Sequence, residues 1–248
     1  MAKIISIHSF RGGTGKSNTV ANVATLLAGE GRNVGVIDTD IQSPGIHAVL
    51  GVDQERVDRF LNDYLWGRCA ISEAAVDVSA NANSGRLWLV PSSLKPADIG
   101  RVMQEGYDVA LLNEGCRDLI AELALDVLFL DTHPGINEET LLSIAISDAL
   151  AIVMRPDRQD YEGTRVTVAV ARRLKVPQML LVVNNTPAAF EASEVKDRVE
   201  STYECEVAAV LPHSDELMVL SSGAVFALRY PQHTLTGLYR RIAGRLIA

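Results

Sequence analysis

A mostly parallel, doubly wound α/β sheet flanked by helices on both faces is the fold class that this 248-residue sequence predicts. Three observations predict it. Short continuous apolar runs alternate with helical periodicities along the chain. Such runs mark strands covered on both faces, and the alternation marks the crossovers of a parallel sheet. A glycine-rich loop joins the first run to the first helical pattern, and acidic residues close two of the runs, where open parallel sheets bind their ligands.

The first run, Ile4–His8, feeds the loop Phe10-Arg11-Gly12-Gly13-Thr14-Gly15-Lys16-Ser17. A helix is predicted from near Lys16, because Val20, Val23, Ala24 and Leu27 keep the i, i+3, i+4, i+7 spacing and Gly29 and Gly31 stop it. Val34–Asp38 is the second strand. The stretch Gly51–Gly85 is more polar and helical, and is expected to be an excursion on the surface. Strands follow at Leu87–Val90, Val127–Asp131, Ala149–Met154, Met179–Asn184 and Val207–Leu211. Val168, Val170, Ala171 and Leu174 mark a helix ending before Pro177. Leu235, Leu238, Ile242 and Leu246 read as the core-facing stripe of a last helix; the alternative is an amphipathic helix lying on a membrane. No linker or repeat divides the chain, so one domain over residues 1–248 is expected.

Composition narrows the function. Hydrophobic residues make up 48% of the chain, enough for a large core, and no apolar run reaches the length of a membrane span. The three cysteines, Cys69, Cys116 and Cys205, lack Cys-x-x-Cys spacing, which argues against a disulfide framework or a metal cluster within one chain. The start of the chain reads as a strand rather than a signal peptide, and a reducing cytoplasm is expected. A formal charge of −8 argues against a protein coated with nucleic acid. The basic runs Arg172, Arg173, Lys175 and Arg240, Arg241, Arg245 read as solvated helix faces.

The loop carries the chemistry. Its small residues let several backbone N–H groups converge on one anion, and the helix that follows adds its positive end. Gly12, Gly13, Thr14, Gly15 and Asn18 are candidates for a nucleotide's phosphate cradle. Lys16 can reach the β- and γ-phosphates and the Ser17 hydroxyl can ligate Mg²⁺. Phe10 stands where the strict phosphate-loop pattern has its first Gly, and Arg11 adds a second cation inside the loop. Asp38 and Asp131, at strand ends, are candidates to hold Mg²⁺ with Ser17. Asp40 lies in a Gln-Ser-Pro-Gly-rich segment and is the candidate for orienting the attacking water; the alternative gives that task to Asp38 and makes Asp40 a loop former. His133 reads as a hydrogen-bonding loop residue beside Pro134-Gly135 rather than a base. Arg155 reads as a surface residue, or as a second cation for the site.

The loop Arg11–Ser17 resembles the deviant Walker A motif, Lys-Gly-Gly-x-Gly-Lys-[Ser/Thr], of the MinD/ParA family of P-loop ATPases. Asp38-Thr39-Asp40 resembles that family's switch I, and Asp131-Thr132-His133-Pro134-Gly135 its Walker B and switch II, often Asp-Thr-Pro-Pro-Gly. Val182-Val183-Asn184 resembles the strand end whose Asn contacts adenine, and Leu211-Pro212 the proline segment beside the base. The motifs come in family order, with spacing closer to MinD than to plasmid ParA. The resemblance implies the P-loop NTPase fold, ATP and Mg²⁺ as ligands, and a face-to-face homodimer in the ATP state that hydrolysis dissolves. It further implies a stimulating partner protein, a DNA or membrane surface, and an output that positions a division site, DNA, flagella or another cargo. Arg11 replaces the signature Lys, which in relatives reaches the partner subunit's phosphates. Two further readings stand beside this one: a nucleotide-binding regulator with little turnover that serves a membrane assembly system, and an iron–sulfur carrier on the same fold.

Overall fold

The computed structural model describes residues 2–82 and 84–248. Among them, the strands β1 (Lys3–His8), β2 (Asn33–Asp38), β3 (Val76–Asp77), β4 (Arg86–Val90), β5 (Val127–Asp131), β6 (Ala149–Met154), β7 (Gln178–Thr186) and β8 (Val207–Pro212) form one sheet. Their order is β3-β4-β2-β5-β1-β6-β7-β8. Neighbours run parallel except β3, which is antiparallel to β4. The helices are α1 (Lys16–Gly29), α2 (Ile46–Val49), α3 (Leu61–Leu65), α4 (Pro96–Glu105), α5 (Ala110–Glu122), α6 (Glu138–Ala145), α7 (Arg158–Arg173), α8 (Ala192–Tyr203), α9 (Asp215–Leu220), α10 (Phe226–Arg229) and α11 (Thr234–Ile247).

The apolar runs become central strands because both faces of the sheet are covered. Along β5, Val127 and Phe129 join the layer under α1 and α11, while Leu128 and Leu130 join the layer under α3 and α5. Along β6, Ala149, Ala151 and Val153 face α1 and α11, while Leu150, Ile152 and Met154 face α7 and α8. The period of two sorts side chains between the layers, and each large one fully buried contributes roughly 1.5–3 kcal/mol.

Two expectations are settled or corrected by packing. The C-terminal stripe is core: Leu235, Tyr239, Ile242, Ala243 and Leu246 are buried, and α11 packs on α1 and β8. The stretch Gly51–Gly85 is not a surface excursion. Phe60, Leu61, Leu65, Ile71 and Ala74 are buried, most of them against Leu112, Cys116 and Leu119 of α5. Its regular pieces are short, namely α3, β3 and the 3₁₀ turns Gln54–Arg56, Ile71–Ala74 and Ser79–Asn81, so no periodicity announces the burial. No helix among the described residues is long and apolar enough to cross a membrane.

Candidate functional site

The loop between β1 and α1 sits at the carboxyl end of the sheet, centred between β5 and β6. Gly13 and Gly15 take φ values of 75° and 94°, backbone that side chains with a Cβ resist. Gly15 has a second reason to be glycine: a Cβ there would stand 2.1 Å from Asn184 Nδ2. That amide nitrogen donates to the Thr14 carbonyl at 2.7 Å. Asn184 therefore clasps the loop from near the end of β7. Pro212 closes β8 one strand over, paired with Thr186. His213 and Asp215 follow it and line a shallow pocket with Asn185, Pro187, Ser214 and Glu216.

A cleft over the loop is lined by Gly12 to Asn18, Asp40, Ser43, Pro134 and Ser222. Lys16 is buried at its floor, with Nζ 2.6 Å from Asp131 Oδ1 and 3.9 Å from Asp40 Oδ2. Burial works against its charge, but Asp131 first, then Asp40 and Asp38, outweigh that and raise its pKa. Asp38 and Asp131 are neighbours in register across β2 and β5. Burial, reinforced by Asp131, pushes the Asp38 carboxyl well above the usual carboxylate range. Asp131 is raised as well, by burial, against the opposing pull of Lys16 and Ser17.

This donor set fits a magnesium ion bound together with phosphates. Asp38 Oδ2 and Asp131 Oδ2 are buried without hydrogen-bond partners, and the Ser17 hydroxyl faces the Asp131 carboxylate. No group of three or more His, Cys, Asp or Glu side chains suited to a metal occurs among the described residues. Two carboxylates and a hydroxyl form the incomplete shell that Mg²⁺ fills with water and substrate phosphate.

Three features escape sequence reasoning because they join distant segments. His133 Nδ1 lies 2.7 Å from Asp40 Oδ1, and this bond raises the His133 pKa; its place as a hydrogen-bonding loop residue was legible, its partner was not. His8, at the end of β1, pairs Nδ1 with Thr132 Oγ1 at 2.7 Å, and burial followed by Lys16 lowers its pKa to about 3. Arg11 does not line the cleft. Its Nε lies 3.0 Å from Asp160 Oδ1 and its Nη1 3.5 Å from Asp157 Oδ1, with Gln159 Oε1 also accepting from Nη1. The signature position is thus held in cis at the start of α7. Arg155 joins that cluster, with Nε 3.8 Å from Asp157 and 3.9 Å from Asp160. Phe10 packs against α7 too: a Cβ on Gly163 would lie 2.1 Å from its ring. The residue that breaks the strict loop pattern is matched by a glycine far along the chain.

The family model AAA_31, described as an AAA domain, matches residues 2–178. An uncharacterized ATP-binding protein of Methanocaldococcus jannaschii is 28% identical over 248 residues, all of this chain and 88% of that protein. The septum site-determining protein MinD of Neisseria meningitidis is 22% identical, over 100% of this chain and 92% of its own. The chain belongs to the MinD/ParA type of P-loop ATPase family. Solved MinD structures share its fold. The cell division ATPase MinD of Pyrococcus furiosus superposes with a TM-score of 0.83 at 21% identity, covering 99% of this chain and 98% of that one. MinD of Pyrococcus horikoshii with Mg-ADP gives 0.82 at 21%, covering 98% and 95%. The MinC:MinD complex of Aquifex aeolicus gives 0.76 at 22%, covering 98% and 96%. Iron–sulfur cluster carriers are also relatives: that of Pyrococcus horikoshii is 26% identical, but this chain's match spans 60% of its length.

Proposed function

We propose that this MinD/ParA-type chain is a cytoplasmic, ATP- and Mg²⁺-dependent dimerising switch that positions a cellular cargo or the division, DNA or flagellar machinery. The observation that carries the reading is the buried Lys16 ammonium, set between Asp131 and Asp40 at the floor of the loop cleft with unpartnered Asp38 and Asp131 oxygens beside it. In this reading Gly12, Gly13, Thr14, Gly15 and Asn18 receive the phosphates, and Asn184 and Pro212 flank the base. Ser17, Asp38 and Asp131 would hold Mg²⁺, which would neutralise charge on the phosphate oxygens when bound. Asp40 orients a water on the γ-phosphorus. The bond to the β-phosphate oxygen breaks, and ADP and phosphate leave. Lys16 stabilises the developing charge. Arg11 leaves Asp157 and Asp160 to reach the phosphates of a second copy, where its planar fork suits them. A partner protein stimulates turnover, and a DNA or membrane surface receives the dimer.

Light scattering on a sizing column with Mg-ATP and Asp40→Ala tests the reading; a chain that stays monomeric under those conditions sinks it. One observation favours a second reading, a nucleotide-binding regulator with little hydrolysis that serves a membrane assembly system. Arg11 is already engaged by three side chains of its own subunit, and that hold must be dismantled before it acts in trans. Steady-state phosphate release separates the two. The carrier activity named for some relatives draws little support from the cysteines: Cys116 and Cys205 are buried, and burial pushes their thiols up to about 12 and about 11.

A further inference from the structure

We propose that His133 is a positioning residue for hydrolysis: its Nδ1–H grips one oxygen of the Asp40 carboxylate and turns the other toward the nucleotide. The proposal rests on the reading above, in which Asp40 acts on the attacking water.

The geometry separates the two carboxylate oxygens. Asp40 Oδ1 accepts from His133 Nδ1 at 2.7 Å and from the Ser43 backbone N–H at 3.2 Å. Asp40 Oδ2 lies on the Lys16 side, 3.9 Å from Nζ. A carboxylate torsion is broad and two-fold when nothing holds it, so two donors on one oxygen define which oxygen is left for water. The tautomer with hydrogen on Nδ1 is the one that donates to this oxygen. Asp40 and Pro134 line the phosphate cleft and His133 does not, which places the imidazole behind the carboxylate rather than at the reacting atoms.

The backbone just after the imidazole is held at two points. The Gly135 N–H donates to the Ser9 carbonyl at 3.0 Å, and Asn137 Oδ1 accepts from Thr140 N at 2.8 Å where α6 begins. The loop after β5 is therefore pinned to the phosphate loop on one side and to a helix start on the other. His133 carries that rigidity across to the loop after β2.

Steady-state phosphate release with Mg-ATP tests it on the full chain, comparing wild type, His133→Ala, His133→Asn, Asp40→Ala and the double variant His133→Ala/Asp40→Ala. Expected for His133→Ala is a fall in kcat of about 10- to 100-fold, the cost of a misplaced catalytic group, with KM moved less than about 3-fold. His133→Asn, which keeps an N–H donor at that reach, recovers most of kcat. In the Asp40→Ala background His133→Ala adds no further loss. The proposal is overturned if Asn is as poor as Ala and the losses add, which would make His133 act on the reaction itself. It is overturned equally if His133→Ala moves KM or the melting temperature alone. Failure of the underlying reading looks different: wild type and Asp40→Ala turn over equally, or wild type releases no phosphate, whatever His133 does.

Discussion

Gly163 should behave unlike an ordinary helical glycine. In the middle of α7, replacing Gly by Ala normally gains about 1 kcal/mol of helix propensity. Here the new Cβ would meet Phe10 at 2.1 Å from Cδ1, 2.4 Å from Cγ and 2.8 Å from Cβ. Carbon atoms rest at about 3.5–4.0 Å, so ring and helix have to move apart by more than about 1 Å. Overpacking of this kind costs about 1–3 kcal/mol, which matches or exceeds the propensity gain of about 1 kcal/mol. Gly163→Ala is therefore expected to destabilise the nucleotide-free protein by up to about 2 kcal/mol net, with a melting temperature lower by up to roughly 8 °C for a chain of this size. Removing the obstacle reverses the sign. In a Phe10→Gly background the same substitution should stabilise by up to about 1 kcal/mol, a coupling of about 1–3 kcal/mol between positions far apart in sequence. Urea unfolding of the four proteins of this cycle measures it. If Gly163→Ala shifts stability equally in both backgrounds, the ring is not held as described, and the account of Phe10 as a deliberate link between the phosphate loop and α7 falls.

Further outcomes follow from the charged groups in and around the cleft. Asp38→Asn should raise the stability of the nucleotide-free protein, because the folded site penalises that carboxylate at neutral pH. Asp131→Asn, which breaks the 2.6 Å bond to Lys16, should lower it by about 3 kcal/mol, and urea titrations moving both variants the same way would contradict this. His8 is held neutral with its pKa lowered from 6.5 to about 3: its contribution is complete above pH 6.5 and is lost as pH falls toward 3, at roughly 1.4 kcal/mol per pH unit. His8→Gln should flatten that acid slope, and an unchanged slope counts against it. Arg11→Lys lacks the fork that spans Asp157, Gln159 and Asp160; the half-exposed contact is worth under about 1 kcal/mol, so stability should barely change while ATP-dependent dimerisation in stopped-flow light scattering becomes faster.

What could be read from the sequence depended on how local its cause is. β1, β5 and β6 announce themselves because burial on both faces demands consecutive apolar residues. β3 has two residues, Val76 and Asp77, too few for any pattern, and its antiparallel sense comes from the chain doubling back onto β4. Leu61 and Ile71 look like scattered apolar residues in a polar stretch, and packing with α5 and the sheet makes them core. At the site, glycines and strand-end acids are legible because loop and metal chemistry fix residue types at fixed offsets. The contact of His133 with Asp40 spans 93 positions and that of Arg11 with Gln159 spans 148. Both depend on which strands lie side by side, and the order β2-β5-β1-β6 is a property of the whole sheet.

The two margins of that sheet bear on how copies of the chain can meet. One margin is β3, a two-residue stub running against its neighbour. The other, β8, pairs with β7 through two breaks in register and ends at Pro212, which has no N–H to offer. Neither margin presents the long, even ladder on which a second sheet could grow. A high local concentration of the chain would therefore not seed sheet extension from either margin.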